Sequence, residues 1–280
     1  DGGDDGGGYE DVDEDGYTAD EDCDDNDPDS HPGGEEVPDG ADNDCDGYED
    51  ELEVCDGVWD SIQDALDAAG DGGVVQVCAG TYVENLSISG IEQTLMGIEG
   101  AGITFVVASE TAVSPLTVSG GADATVLGLT FTGGATENGG GVLCSASDLI
   151  LGDAIIYGNT AVASGGGLGA FGCNVDVLNT SITSNVAGRY GGGAVFSESR
   201  GEISDSLVTG NIGYEGGGLF VYGGNVDLMD NEITNNEALV PELPDEEIEW
   251  GAGGGGGGIW TSNSAHIEGN TIAGNISGYN

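Results

Sequence analysis

Between residues 73 and 280 apolar and polar residues alternate in short runs, as in "NVDVLNTSITSN" and "HIEGNTIAGN". A period of two predicts strands with one face turned in and the other out. One stretch has a helical period instead. In "VWDSIQDALDAAG" the residues Trp59, Ile62, Leu66 and Ala69 fall on one face. Ser61 and Asp64 form a capping-box-like pair at its start, and Gly70 can end it.

The alternating region is a repeat. Glycine triplets precede apolar residues at 139, 165, 191, 216 and 256, spaced by 26, 26, 25 and 40. A second marker, an apolar residue three positions ahead of asparagine, follows each triplet and ends at Asn159, Asn185, Asn211, Asn236 and Asn275. Two markers in fixed phase over five copies are a strong repeat signal. Helical repeats would show a 3.6-residue period and far less glycine. A period near 25 with three short strands predicts the rung of a parallel β-helix, about eight rungs in all, each about 4.8 Å above the last. Glycine supplies the tight corners. The five asparagines are expected to stack as a side-chain ladder. The amphipathic helix would plug the bottom of the coil and hide its edge. The other end shows no such plug, which predicts a continuing chain or end-to-end self-association. The 40-residue spacing marks an insertion, "EALVPELPDEEIEW". Tyr190, Tyr214, Trp250 and Tyr279 follow the ladder asparagines, a candidate stripe for neutral glycans or a neighbouring subunit.

Composition changes the picture mainly through charge. The chain has 280 residues, 56 of them glycine without a collagen period, and a net charge of −51. Its only bases are Arg189 and Arg200. Nucleic acid and anionic membrane surfaces are excluded, since both need clustered cations. No apolar run reaches the ~18 residues of a membrane span. Of the 53 acids, 26 fall in residues 1–56. The start, "DGGDDGGG", is expected to be a flexible leader over residues 1–10, as after removal of an export signal. Six cysteines allow fifteen pairings. Neighbour pairing in sequence order (Cys23–Cys45, Cys55–Cys78, Cys144–Cys173) is the expectation, with free buried thiols as the alternative. Disulfides would place the protein outside the cytoplasm, extracellular or at a bacterial cell surface.

The acidic segment has internal order. Residues 11–22 fit a twelve-residue calcium loop, with Asp11, Asp13 and Asp15 at positions 1, 3 and 5. Gly16 takes the sharp turn at 6, the Tyr17 carbonyl comes at 7 and Asp22 at 12. Residues 42–53 repeat the pattern with Asp42, Asp44, Asp46, Gly47, Tyr48, Asp50 and Glu53. Alternate carboxylates about a glycine turn suit a hard cation, so Ca²⁺ is the expected cofactor. Asp24, Asp25, Asp27 and Asp29 are further candidate ligands. His31 is alone in its loop. With oxygen donors dominating, calcium outranks copper or zinc. Folding of residues 11–56 is expected to depend on that ion.

Two resemblances follow from these residues. The helix, the strand after it and Gly80, Thr81, Tyr82 and Glu84 ("GTYVE") resemble the opening of pectate-lyase-like right-handed parallel β-helices. The triplet and asparagine markers look like the repeats of polymorphic outer-membrane proteins. Together these cover about residues 57–280 and imply the fold more than an activity. The segment "CDDNDPDSHPGGEEVPDG" with "DNDCDG" resembles a metal-binding motif of secreted bacterial proteins, some myxobacterial, one a methanotroph copper-binding surface protein. Pro38 stands where that family usually has cysteine, which implies Cys23–Cys45 as the substitute pairing. Lyases of the first family need a basic residue to take a proton and cations to hold an acidic sugar, for which only Arg189 and Arg200 are available, and no compact catalytic cluster is visible. The expected function is structural or adhesive at the cell surface or in extracellular matrix, with calcium ordering the acidic module. Carbohydrate binding or cleavage is the alternative.

Overall fold

The computed structural model describes residues 10–34, 41–45, 47, 52–55, 59, 61–240, 255–262 and 265–279. The chain divides into two compact units, residues 1–52 and 53–280. The expected boundary at 56/57 lies close by, and the expected leader falls almost wholly outside the described residues.

The second unit is a parallel β-helix. Among the described residues its strands form four parallel sheets of nine, eight, seven and six strands. One rung shows the plan: Asp148–Gly152 joins the nine-stranded sheet and Ile155–Tyr157 the eight-stranded one. Thr160–Ser164 joins the six-stranded sheet and Leu168–Phe171 the seven-stranded one. The coil makes about seven turns, in rough agreement with the eight expected. The expectation of three strands per rung is corrected. The six-stranded sheet begins only at Ala135–Asn138. Two of its strands, Val186–Ala187 and Ile212–Gly213, are two residues long and carry no alternation to read.

Registration follows the repeat. Inward residues stack like on like: Leu95, Val126, Leu151, Val177, Ile203 and Leu228 are successive partners in the nine-stranded sheet. All six are fully buried. Apolar columns of this kind supply most of the burial that holds a coil together.

The corners need a different solution, because a turning backbone leaves polar groups without ladder partners. At the corner between the eight- and six-stranded sheets the asparagines supply them. The Asn185 side-chain oxygen accepts from both the backbone N–H of Asn159 (3.0 Å) and its side-chain nitrogen (3.2 Å). The Asn185 amide nitrogen in turn donates to the Ile156 carbonyl at 2.9 Å. The same contacts recur from Asn185 to Asn211, Asn211 to Asn236 and Asn236 to Asn275. Asn159, Asn185, Asn211 and Asn236 are fully buried.

Each glycine of a triplet has its own reason. The first, such as Gly191, takes a left-handed φ of 61°. A Cβ on the second, such as Gly192, would run into the carbonyl of Gly217 one rung on. A Cβ on the third, such as Gly193, would stand 3.0 Å from the Asn211 side-chain nitrogen. Triplet and ladder are therefore one device: the asparagine fits because the glycine beside it has no side chain.

The helix, Ile62–Ala69, buries Ile62, Ala65 and Leu66. Ser61 caps it as expected, accepting from the Asp64 N–H at 3.3 Å. The larger contribution comes from the first rungs. Glu84 accepts from the backbone N–H groups of Ile62 and Gln63, both at 3.1 Å, and from the Ser61 hydroxyl at 2.9 Å. Gln93 donates to the Leu66 and Gly70 carbonyls at 2.6 and 2.9 Å. Both ends of the plug are thus satisfied by the coil it covers. The Tyr82 hydroxyl donates within reach of the Val54 and Cys78 carbonyls, beside the Cys55–Cys78 disulfide.

Substituting Asn211→Ala should destabilise the coil by roughly 3 kcal/mol or more, since it strands the buried N–H of Asn185 and the carbonyl of Ile182. Asn225→Ala, an exposed position, should change stability by less than about 0.5 kcal/mol. Urea unfolding of the two variants measures the contrast.

Candidate metal centre

Residues 10–52 contain little regular structure among the described residues, so local hydrogen bonds shape them. In the first acidic loop carboxylate oxygens hold the backbone, both of them at Asp11 and one each at Asp13, Asp15 and Asp22. Asp11 accepts from Glu14 N–H at 2.7 Å through Oδ1 and from Gly16 N–H at 3.2 Å through Oδ2. Asp13 Oδ1 accepts from Asp15 N–H (3.2 Å) and Asp15 Oδ1 from Tyr17 N–H (2.8 Å). Asp22 Oδ1 accepts from Asp24 N–H at 2.9 Å. These are Asx turns, which bend the chain around the carboxylates that make them. Gly16, with φ of 106°, gives the sharp turn that position 6 requires.

The second oxygens carry the chemistry. Oδ2 of Asp13, of Asp15 and of Asp22 are each buried without a hydrogen-bond partner. These three side chains converge, with ligand atoms within 4.8 Å of one another. A second group, Asp11, Asp13 and Asp25, shares Asp13. Buried, unpartnered anionic oxygens facing one another are costly unless a cation joins them. The residues present fit a hard metal ion, with Asp11, Asp13, Asp15, Asp22 and Asp25 as the groups that would hold it. When bound, such an ion supplies the positive charge that this part of the chain lacks.

Asp25 was one of four extra candidates, and it alone enters a group among the described residues. Val12 N–H donates to its Oδ1 at 3.0 Å and draws it across the loop. Asp24 instead accepts from the Asn26 amide at 3.2 Å, and Asp27 from the Asp29 N–H at 3.2 Å. Asp29 joins neither group. Asp22 also lies near Cys23 and Cys45, but those two are joined in a disulfide and offer no thiolate. The Tyr17 ring stacks on His31, with centroids 5.1 Å apart and planes 9° apart.

The second loop begins in the same way. Gly47, with φ of 98°, donates to Asp42 Oδ2 at 3.0 Å, as Gly16 does to Asp11. The backbone of His31 and Gly33 pairs with Asn43 and Asp44 at 2.9 and 3.0 Å. Asp46, Tyr48 and Asp50 lie outside the described residues. Glu53, expected at position 12, lies in the strand Leu52–Val54.

All three disulfides join sequence neighbours: Cys23–Cys45, Cys55–Cys78 and Cys144–Cys173. Of the expected aromatic stripe, Tyr190 enters a ring cluster among the described residues. Tyr190 packs on Phe220 (4.6 Å between centroids) and Phe220 stacks on Trp260 (4.2 Å). Tyr190, from the turn after Asn185, thus meets Phe220 and, through it, Trp260, which project from the outer face of the seven-stranded sheet. Tyr214 lines no part of that cluster, Trp250 lies outside the described residues, and Tyr279 is placed by its backbone alone, pairing with Val240. The first four residues of the supposed insertion, Glu237–Val240, continue the six-stranded sheet.

A second ladder went unread in the sequence. At the corner between the nine- and eight-stranded sheets, Ala154 N–H donates to Thr180 Oγ1, Thr180 N–H to Ser206 Oγ, Ser206 N–H to Asn231 Oδ1 and Asn231 N–H to Asn270 Oδ1. Its signal is phase alone, since three residue types fill one position.

Residues 22–51 match a family model described as "Putative metal-binding motif" (Cu-binding_MopE). The N-terminal unit carries a metal-binding motif. The matched span holds Asp22, Asp25 and most of the second loop; Asp11, Asp13 and Asp15 precede it. No curated protein matches the chain by sequence. Among solved structures, the pectin methylesterase from Aspergillus niger is similar at 12% identity and a TM-score of 0.39, over 86% of this chain and 92% of that one.

Burial raises the Asp13 pKa above its ordinary 3.8; the Asp15 N–H opposes this, and the charges of Asp15, Asp22 and Asp11 add to it. The folded, metal-free module then holds a proton more tightly than the unfolded chain. Without metal, this contribution to stability is full below 3.8 and is lost as pH rises through the raised value. Metal binding needs the carboxylate, so it weakens as pH falls through the same range. In chelator, acidification from neutral pH should sharpen the amide NMR signals of residues 11–25; with metal present it should broaden or shift them.

Proposed function

We propose that this is an extracellular calcium-binding surface protein, in which Ca²⁺ orders the acidic N-terminal module ahead of a rigid β-helix with a structural or adhesive role. The observation that carries the reading is the trio of buried, unpartnered oxygens on Asp13, Asp15 and Asp22. Each carboxylate is already aimed by a backbone hydrogen bond, so the loop holds its ligands before the ion arrives. All the converging donors are hard oxygens, which favours calcium over copper. Three disulfides agree with an oxidising compartment. The β-helix contributes a stiff surface of stacked strands, and no helix among the described residues is long and apolar enough to cross a membrane.

Calcium should protect residues 10–52 of the intact protein from proteolysis, and chelator should remove that protection while the coil stays resistant. Asp15→Asn should weaken Ca²⁺ binding by about tenfold or more in calorimetry. A cleavage pattern unchanged by chelator, or tighter binding of Cu²⁺ than of Ca²⁺, would overturn the reading.

A further inference from the structure

The outer side of the coil carries a cavity of about 350 Å³ at the seven-stranded sheet. Its lining combines the rings of Phe171, Tyr190, Phe220, Tyr222 and Trp260 with the carboxyl of Glu215.

Register builds the aromatic side. Gly169, Val195, Phe220 and Trp260 are successive partners in one outward column. A Cβ on Gly169 would stand 3.0 Å from Cε2 of Phe171, so that ring lies back along its own strand and joins the column. Tyr190 arrives from the corner, where its backbone bridges Ser164 in one rung and Glu215 in the next. Phe220 lies in the rung of Glu215 and covers one face of the Tyr190 ring, at 4.6 Å between centroids. The opposite face is thereby turned toward the rung of Ser164 and Phe171, both of which line the cavity. Tyr222, at the rim, is 51% exposed.

The electrostatics are one-sided. Glu215 is half-buried, and burial alone raises its pKa. Every base of the chain (Arg189, Arg200, His31 and His266) is among the described residues, and none lines the cavity. Arg189 precedes Tyr190, and its carbonyl accepts from the Glu215 N–H at 2.8 Å, but no ion pair joins the two side chains. A carboxylate drawn out of water without a countercharge is costly. Aromatic faces present the negative side of their quadrupole. Carboxyl and ring face therefore select the same occupant, a cation. A methylated ammonium suits them best: its methyl groups pack on rings and ask for no hydrogen bond. A primary ammonium brings three N–H donors that each need an acceptor. A neutral sugar would leave the charge of Glu215 unbalanced.

We propose that this cavity binds a small quaternary ammonium ion, held against the open face of Tyr190 with Glu215 as its counterion. The site goes beyond the calcium reading and does not depend on it, because every residue named belongs to the coil.

The test is calorimetry of the intact protein in chelator and about 0.15 M salt, where distant exposed charges are largely screened. Choline is the probe. Neohexyl alcohol keeps its shape without the charge, ethanolamine keeps the charge without the methyl groups, and cellohexaose stands for neutral glycans. Choline should bind at least about tenfold more tightly than each of the three. Glu215→Gln should weaken it by about tenfold. Glu198→Gln, the same loss of charge at an exposed position outside the cavity, should change it by less than about twofold. Tyr190→Leu, which keeps apolar bulk against Phe220 and removes the ring face, should weaken it by about fivefold or more. Absence of choline binding would overturn the proposal. Equal binding of neohexyl alcohol would mean an apolar cleft, and equal binding of ethanolamine, or equal losses in the two Gln variants, the general charge of the chain. Preference for cellohexaose would assign the cavity to glycans. Each of these results overturns it. Calcium-dependent proteolysis reads the N-terminal module alone, so failure of one reading leaves the other standing.

Discussion

A parallel coil has no hairpin to fix its register. Each turn must bring the backbone back to hydrogen-bonding height beside a rung one full circuit away in sequence, without a local template. In this protein the buried amide at the corner does that. Asn185 holds the backbone of its own rung to the one before and after it, through oxygen and nitrogen alike. A side chain can occupy that corner only if the next strand's approach leaves room, hence the glycine opposite every ladder asparagine. The period of the sequence is the circumference of the coil measured between these contacts. The longest interval, 39 residues from Asn236 to Asn275, keeps the same two hydrogen bonds as the 25- and 26-residue ones. The strands on either side of that interval remain in register.

The parts legible in the sequence were those where one residue type repeats for one physical reason. Glycine triplets and asparagines in fixed phase gave period, ladder and strand pairing together. The plug was legible from its helical face, although the ligands of its ends, Glu84 and Gln93, belong to strands and carry no helical signal. Where several residue types serve one role, the pattern disappears. Thr180, Ser206, Asn231 and Asn270 form a ladder of the same kind, yet two hydroxyls are followed in it by two amides. For the aromatic residues, phase in the turns does not by itself give adjacency. Phe220 and Trp260 face each other through strand register, across an interval lengthened by the extra chain. In the acidic loop the ligand positions within twelve residues were legible, whereas Asp25 arrives from outside through a bond to the Val12 backbone.

The two units solve opposite problems. The coil removes apolar side chains from water and satisfies its polar corners internally, so it needs no ion. The N-terminal unit has few apolar residues to bury. Its order comes from Asx turns and the Cys23–Cys45 link, and those same turns leave one oxygen of each carboxylate pointing inward. Such an arrangement leaves like charges facing one another, a cost that a countercharge would relieve.

The Cys144–Cys173 link has a mechanical consequence. It joins positions in consecutive rungs. A pulling force applied at the last rung acts on strands that are released one circuit at a time, each peeled from the rung before it. That unzipping skips the circuit closed by the covalent link, because force passes directly from Cys173 to Cys144 and the chain between them carries none. The coil therefore gives up less length under load than its residue count implies.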